Sequence, residues 1–171
     1  MSPEIRPARA EDTTQLAALT TLVWLDTYEA GGLSQAGAAE ALSLGSPVAM
    51  AARLLDPKRQ VLVLCDRKLL LGYAEIEHPA PCPEQPSATT ELARLYVIRH
   101  MQGRGLGGRL LTAAENQAKA LGAHSLWLTA WVGNAQALRF YAHKGYRDAG
   151  LRSFAFQDQV VENRLLIKDL N

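Results

Sequence analysis

The chain has 171 residues, of which 48% are hydrophobic and 20% charged, with a formal net charge of +1. This supplies the core of one globular domain, 1–171, and leaves little chain for a second. Near-neutral charge without a Lys/Arg run argues against an unspecific nucleic-acid binder, and no apolar stretch approaches the roughly 20 residues of a membrane span. The first ten residues lack the apolar run of a secretory leader, so a soluble cytoplasmic protein is expected. His78, His100, His124 and His143 are scattered without metal-ligand spacing, so no metal is expected. Cys65 adjoins the apolar run 61–64 and reads as a small buried hydrophobe. Cys82 lies in the proline-rich stretch 79–86, and no disulfide is expected in a reducing compartment.

In chain order, Ile5 and Arg6 begin a short strand. Glu11 and Asp12 precede Leu16, Leu19 and Val23, an i, i+3, i+7 spacing that predicts a helix with acids in its first turn. Residues 31–46 are rich in Gly, Ala and Ser and read as a loop with a short helix over 35–42. Pro47 suits the first turn of a helix running to Leu55. Strands over 61–66 and 69–77, joined at Arg67 and Lys68, predict an antiparallel hairpin, with Glu75 and Glu77 on its solvated face. Pro79, Pro81, Pro83 and Pro86 make the next segment a loop.

A strand follows over 92–97. Leu106, Leu110, Leu111, Ala114, Ala118 and Leu121 mark a helix opening near Arg104, with Gly122 at its C-terminal cap. Residues 125–132 alternate as a strand. Asn134 is a good N-cap for a helix over 135–144, which Gly145 ends. Two short strands, near 146–149 and 164–168, close the chain. The order predicts an α/β chain with a mixed sheet flanked by helices. The strand–helix–strand from 92 to 132 should form a right-handed parallel crossover.

The stretch Gln102-Gly103-Arg104-Gly105-Leu106-Gly107-Gly108-Arg109 lies between a strand and a helix. Unpaired N–H groups and the positive end of the helix dipole gather there. Glycines let the backbone approach a ligand, which together favours phosphate oxygens. Arg104 and Arg109 can add charge-assisted hydrogen bonds. A Walker loop needs Gly-Lys-Ser/Thr, which is absent. A dinucleotide fingerprint needs a different glycine spacing after the first strand.

Gln102-x-x-Gly105-x-Gly107 resembles the coenzyme A pyrophosphate loop (Q/R-x-x-G-x-G/A) of the GCN5-related N-acetyltransferase (GNAT) superfamily. The preceding Glu91 to Val97 is similar to that family's fourth strand. Leu126 to Asn134, continuing through Ala137 to Phe140-Tyr141 and Gly145-Tyr146, resembles its following motif. Residues 5–12 resemble its opening, so the likeness runs in order through nearly the whole chain. Trp24-Leu-Asp-Thr-Tyr28, Trp127 to Trp131 and the tail from Ser153-Phe154 resemble bacterial polyamine acetyltransferases of the PaiA type. The chain departs from many members at Ile98-Arg-His-Met101, which lacks their proline.

The resemblance implies the GNAT-like acyl-CoA N-acyltransferase fold and transfer of acetyl from acetyl-CoA to a primary amine. The preferred acceptor is a small molecule or polyamine. Leu95, Tyr96 and Val97 would pair through their backbones with the pantetheine arm, in a gap between the fourth and fifth strands. An N–H near Val97 would steady the oxyanion. Gln102, Gly103, Arg104, Gly105, Leu106, Gly107 and Gly108 would hold the pyrophosphate. Asn134 would hydrogen-bond the cofactor, act as a helix cap, or both. Glu91 matches the family's general base, acting through water, against the reading of a solvated strand-end residue. Tyr141 matches its thiolate-protonating tyrosine, against that of a core ring. Trp24, Tyr28 and Trp131, with Asp26, would line an acidic and aromatic acceptor pocket, or only pack. A protein N-terminus or lysine as acceptor, and a non-catalytic CoA-binding module, remain as alternatives. Exposed late strands can pair between subunits, so a homodimer is a further expected assembly.

Overall fold

The computed structural model describes residues 3–156 and 159–170. In chain order it contains β1 (Glu4–Pro7), a 3-10 turn (Ala10–Asp12), α1 (Thr13–Tyr28), α2 (Gln35–Leu44), α3 (Pro47–Leu55), β2 (Arg59–Asp66), β3 (Leu69–Glu77) and β4 (Glu91–Val97). A second 3-10 turn (Arg99–Met101), α4 (Leu106–Ala120), β5 (Ser125–Trp131), α5 (Ala135–His143), β6 (Arg147–Phe156) and β7 (Gln159–Asp169) follow. The hydrogen-bonded strand order is β1-β2-β3-β4-β5-β7-β6. β4 and β5 are parallel, while the pairs β1–β2, β5–β7 and β6–β7 are antiparallel. The expected mixed sheet flanked by helices is thus present. Among the described residues, no helix is long and apolar enough to cross a membrane.

The chain divides into two compact units, Met1–Ile76 with Arg94–Ala114, and Glu77–Ala93 with Glu115–Asn171. In the first unit, α1 buries Leu16, Ala17, Leu19, Thr20, Val23 and Trp24. Three- and four-residue steps put these on one helical face. Leu16, Leu19 and Val23 join Met50 of α3 and Val61, Val63, Cys65 and Tyr73 of the sheet in one cluster. Ser34 and Ser46 cap α2 and α3, each side chain accepting a backbone N–H (from Gly37 at 2.9 Å and from Ala49 at 3.1 Å). Pro47 occupies the first turn of α3, where its missing N–H costs nothing.

Asp12 does more than complement a helix dipole. It lies in the first 3-10 turn and is 4% exposed. Both its oxygens accept from the Arg6 guanidinium at 2.8 Å, and one also accepts the Arg9 N–H at 2.7 Å. This fork stitches β1 to the start of α1.

Gly72 of β3 is buried, and a Cβ there would lie 2.4 Å from the Tyr96 carbonyl oxygen and 3.2 Å from the Val97 Cα. Only glycine allows β3 and β4 to approach so closely at this point. The Ile98 N–H then donates to the Leu71 carbonyl at 3.0 Å.

In the second unit, Cys82, Ala88, Trp127, Leu165 and Ile167 form a cluster. The proline-rich loop therefore contributes core, and Cys65 and Cys82 are both free thiols. Trp127 donates its backbone N–H to the Thr90 carbonyl at 3.1 Å and its indole N–H to the Ala80 carbonyl at 2.8 Å.

Two expectations need correction. The closing strands are long rather than short. β6 and β7 form an antiparallel ladder from Arg147↔Ile167 to Phe156↔Gln159, with an irregularity between Asp148 and Gly150. The outer ladder mixes polar residues with exposed apolar ones such as Leu151, Phe154 and Val160, so it lacks the buried alternation that marks a strand, and backbone pairing sets its length. Glu75 is also not on a solvated face, for it is 0% exposed. Two arginines compensate its charge, as described below.

Asp12→Asn should destabilise the protein by about 2–3 kcal/mol at pH 6, because it leaves the Arg6 guanidinium without its anion. The Arg6 hydrogen bond holds the Asp12 carboxyl below the usual carboxylate range. Its contribution is therefore complete above the unfolded value of about 4 and is lost as pH falls through the folded value. Urea unfolding at pH 6 and below pH 3 should show the gap to wild type closing in acid. Gly72→Ala should cost about 1–3 kcal/mol, because the new methyl meets backbone rather than a movable side chain. Thermal unfolding checks this, and an unchanged midpoint would refute the close approach.

Candidate functional site

In the first unit, β4 ends at Val97 and α4 begins at Leu106. The glycine-rich stretch is the link between them. Gly103 and Gly105 have φ of 73° and 76°, a left-handed conformation that side chains rarely adopt. A Cβ built at either meets nothing within 4 Å, so the space above the loop is open. The Gly105 carbonyl accepts the first α4 bond, from the Arg109 N–H at 3.1 Å. The amides of Leu106, Gly107 and Gly108 accordingly belong to the first turn, whose N–H groups have no partner within the helix. Open space, positive-φ glycines and a helix N-terminus fit a diphosphate.

Two side chains of this loop differ from expectation. Gln102 donates from Nε2 to the Val97 carbonyl at 2.9 Å, so it braces the loop against the end of β4. Arg109 donates to the Pro3 carbonyl, which ties it to the start of the chain rather than to the open face of the loop. Arg104 is exposed.

The same unit contains Trp24 and Tyr28, one helical turn apart on α1, with ring centroids at 4.9 Å. Tyr96 meets Tyr73 edge-on at 5.4 Å, and the Tyr73 hydroxyl shares a 2.8 Å hydrogen bond with Thr20. Burial pushes the Tyr28, Tyr73 and Tyr96 hydroxyls above the ordinary tyrosine value; the nearby Arg94 opposes the rise at each. Arg94 donates to one Glu75 oxygen at 2.8 Å, and Arg59 donates to the other. Arg59 also pairs with Asp56 at 3.3 Å. A fully buried carboxylate is tolerated because both its oxygens meet guanidinium groups. The expected lining was aromatic and acidic. Asp26 lies half-buried on α1 between Trp24 and Tyr28 in sequence, Arg94 is in electrostatic reach of Tyr28, and Arg94, Glu75 and Arg53 are in reach of Tyr96.

The second unit contains Glu91, Trp131, Asn134 and Tyr141. Glu91 opens β4 in register with Trp127 of β5, beside the buried Thr90, whose hydroxyl bonds His78 at 2.8 Å. Asn134 caps α5, its side-chain oxygen accepting the Ala137 N–H at 3.0 Å. Trp131 precedes the turn at Gly133, where a Cβ would overlap its ring at 2.4 Å. Tyr141 is 8% exposed and packs edge-on against Phe140 at 5.1 Å and Tyr146 at 5.5 Å. Tyr146 donates to Glu115, which Lys168 also reaches at 2.8 Å. This fixes the floor on which the Tyr141 ring rests. Among the described residues, no group of three or more His, Cys, Asp or Glu side chains is arranged to hold a metal ion.

Sequence reasoning missed Arg53, Arg59 and Arg94, since isolated arginines on a helix and two strands carry no motif. Their signal was Glu75, a carboxylate in an otherwise apolar strand that demands partners. Gly72 was missed for a similar reason. A glycine inside a strand was the available sign of close backbone approach.

Comparison with known proteins bears on the family and the fold. A 26% identical relative over 117 residues, 68% of this chain and 71% of its own, is an uncharacterised N-acetyltransferase of Mycobacterium tuberculosis. An aminoalkylphosphonate N-acetyltransferase of Salmonella typhimurium is 28% identical over 102 residues, 60% of this chain and 66% of its own. The fold is similar to that of the PaiA N-acetyltransferase of Thermoplasma acidophilum, solved in complex with coenzyme A. Its TM-score is 0.80 at 20% identity, over 99% of each chain. The acetyltransferase (GNAT) family model matches residues 17–146, and the chain belongs to that family of N-acetyltransferases.

Proposed function

We propose that this protein transfers acetyl from acetyl-CoA to the primary amine of a small molecule. The observation that carries this reading is the loop over 102–108. It is open above two positive-φ glycines, opens into the first turn of α4, and is braced by Gln102 on the Val97 carbonyl. Gln102 to Gly108 then belong to the pyrophosphate site, with Gln102 acting by positioning the loop. Leu95, Tyr96 and Val97 offer backbone groups to the pantetheine amides, and an N–H near Val97 steadies the oxyanion. The family model runs through residues of both compact units, which supports one N-acetyltransferase domain over 1–171.

The chemistry has two proton transfers. An alkylamine has a pKa of about 10 and is mostly protonated at neutral pH. Glu91 takes a proton from the ammonium group through water. The neutral nitrogen attacks the thioester carbonyl, a C–N bond forms, and collapse of the tetrahedral intermediate breaks the C–S bond. Tyr141 then gives its hydroxyl proton to the departing thiolate, and the proton that the attacking nitrogen loses as it becomes the amide returns through water to Tyr141. Burial of its ring between Phe140 and Tyr146 supports that role, since a proton donor must be held at a fixed position. Asn134 caps α5 with its oxygen and keeps its amide N–H groups as donors toward the cofactor. Trp24, Tyr28 and Trp131 belong to the acceptor side.

Acetyl-CoA-dependent release of free thiol, measured against a panel of amines, tests the reading. Tyr141→Phe should lower kcat about 10- to 100-fold with little change in acetyl-CoA affinity, because the proton is needed only as sulfur leaves. Unchanged kcat would remove Tyr141 from the reaction. Gly105→Glu should abolish acetyl-CoA binding by calorimetry while the circular dichroism of the fold persists. Gly105→Ala shares its backbone strain without its charge, and should retain most of the affinity. Equal loss in both variants would make Gly105 a backbone requirement and would count against a phosphate neighbour.

A further inference from the structure

A cluster of arginines surrounds the buried Glu75 in the first unit. Arg59 and Arg94 both bind Glu75, and Asp56 meets Arg59 at the outer edge. Arg53, in the last turn of α3, is a third guanidinium near the same carboxylate. It lies in electrostatic reach of Arg94, Glu75, Tyr73, Arg59 and Tyr96. Arg53 and Arg94 are thus two like charges beside Glu75, both of whose oxygens are already taken by Arg59 and Arg94.

Arg53 Nη1 is buried and finds no hydrogen-bond partner among the described residues. Guanidinium N–H groups withdrawn from water are normally paired. A cation serving only the α3 dipole would lie out in solvent and needs no burial. Burial and the neighbouring arginines both penalise the charge of Arg53. The cluster still reaches the surface, with the Arg94 and Arg59 side chains 18% and 24% exposed and Tyr28 40% exposed. Tyr96, on the strand assigned above to the pantetheine arm, is in reach of both Arg53 and Arg94.

We propose that the acceptor carries an anionic group, a carboxylate or a phosphonate, besides its amine, and that Arg53, with Arg94 beside it, binds that anion. This rests on the acetyltransferase reading and narrows its acceptor class. A guanidinium offers planar paired donors to either oxyanion. The neighbouring Arg53 and Arg94 disfavour a polycation at the same place, because two partly desolvated guanidinium groups already repel each other there. The polyamine expectation drew on the PaiA-type resemblance and on an acidic lining suited to a cationic amine; Arg94 is in reach of Tyr28, and Arg94 and Arg53 are in reach of Tyr96 beside the already paired Glu75. Trp24 and Tyr28 then supply apolar walls rather than a cation cage.

The test is thiol release with matched amines: β-alanine and 2-aminoethylphosphonate against propylamine, ethanolamine and spermidine. The anionic acceptors should have the higher kcat/KM, and the better of the two identifies the oxyanion. Arg53→Gln should raise KM for the anionic acceptors about 10- to 100-fold. It should leave KM for acetyl-CoA and turnover of propylamine unchanged, and Arg53→Lys should recover part of the loss. A purely structural arginine would instead affect all acceptors alike, which would overturn the proposal. So would preference for spermidine or propylamine, and either result would leave the acetyltransferase reading intact. Absence of turnover with every amine would count against that reading instead. Calorimetric titration of the CoA-loaded protein with 2-aminoethylphosphonate and β-alanine then decides the anion site. Binding that Arg53→Gln removes supports it, and no binding of either to the wild type overturns it.

Discussion

The position of the last residues of β4 is the constraint from which the first unit's chemistry follows. Three separate contacts hold them. Gly72 lets the Tyr96 carbonyl approach β3 more closely than any side chain would permit. The Leu71 carbonyl takes the Ile98 N–H, and Gln102 reaches back to the Val97 carbonyl. Each contact is modest, since one hydrogen bond contributes only about 1 kcal/mol net. Together they determine where the strand stops, and so where the first turn of α4 presents its N–H groups. A phosphate site made of backbone is only as well placed as the backbone that leads into it.

Buried charge is used in two contrasting ways in that unit. Asp12 is closed off: both oxygens take Arg6, a backbone N–H completes the set, and the arrangement stitches β1 to α1. The Glu75 cluster is left open. Both its carboxylate oxygens are taken, while Arg53 Nη1 is buried without a hydrogen-bond partner among the described residues and Arg59 and Arg94 retain partial exposure. A saturated pair stabilises one conformation, whereas a surplus of donors at a surface is an invitation to a ligand. The same residue types serve structure at the start of α1 and, in the reading proposed above, recognition near Tyr28.

The second unit contributes rigidity of a different sort. Trp127 is pinned by both of its N–H groups, one to Thr90 just before β4 and one to the proline-rich loop. Tyr141 rests against Tyr146, which Glu115 and Lys168 hold in turn. The role proposed for Tyr141, a hydroxyl meeting a leaving group at a set distance, would benefit from such support, because the ring has no rotamer to search.

What the amino-acid sequence determined by itself was local. Glycines at 103 and 105, the serine caps at 34 and 46, Pro47 and Asn134 act through their own backbone geometry, and each acts in the structure as its chemistry requires. The 3.6- and 2-residue periodicities gave the helices and most strands because burial of one face writes itself into nearby residues. The ordered motifs from Glu91 to Tyr146 gave the family. Tertiary structure decided whatever depends on partners distant in the chain. The length of β6 and β7 came from a ladder whose register is a backbone property with little trace in side-chain pattern. The burial of Glu75 came from Arg59 and Arg94, which lie 16 and 19 residues away. The charge beside Tyr28 and Tyr96 was therefore settled by folding, because the sign of a site is the sum of groups that meet only when the chain is packed.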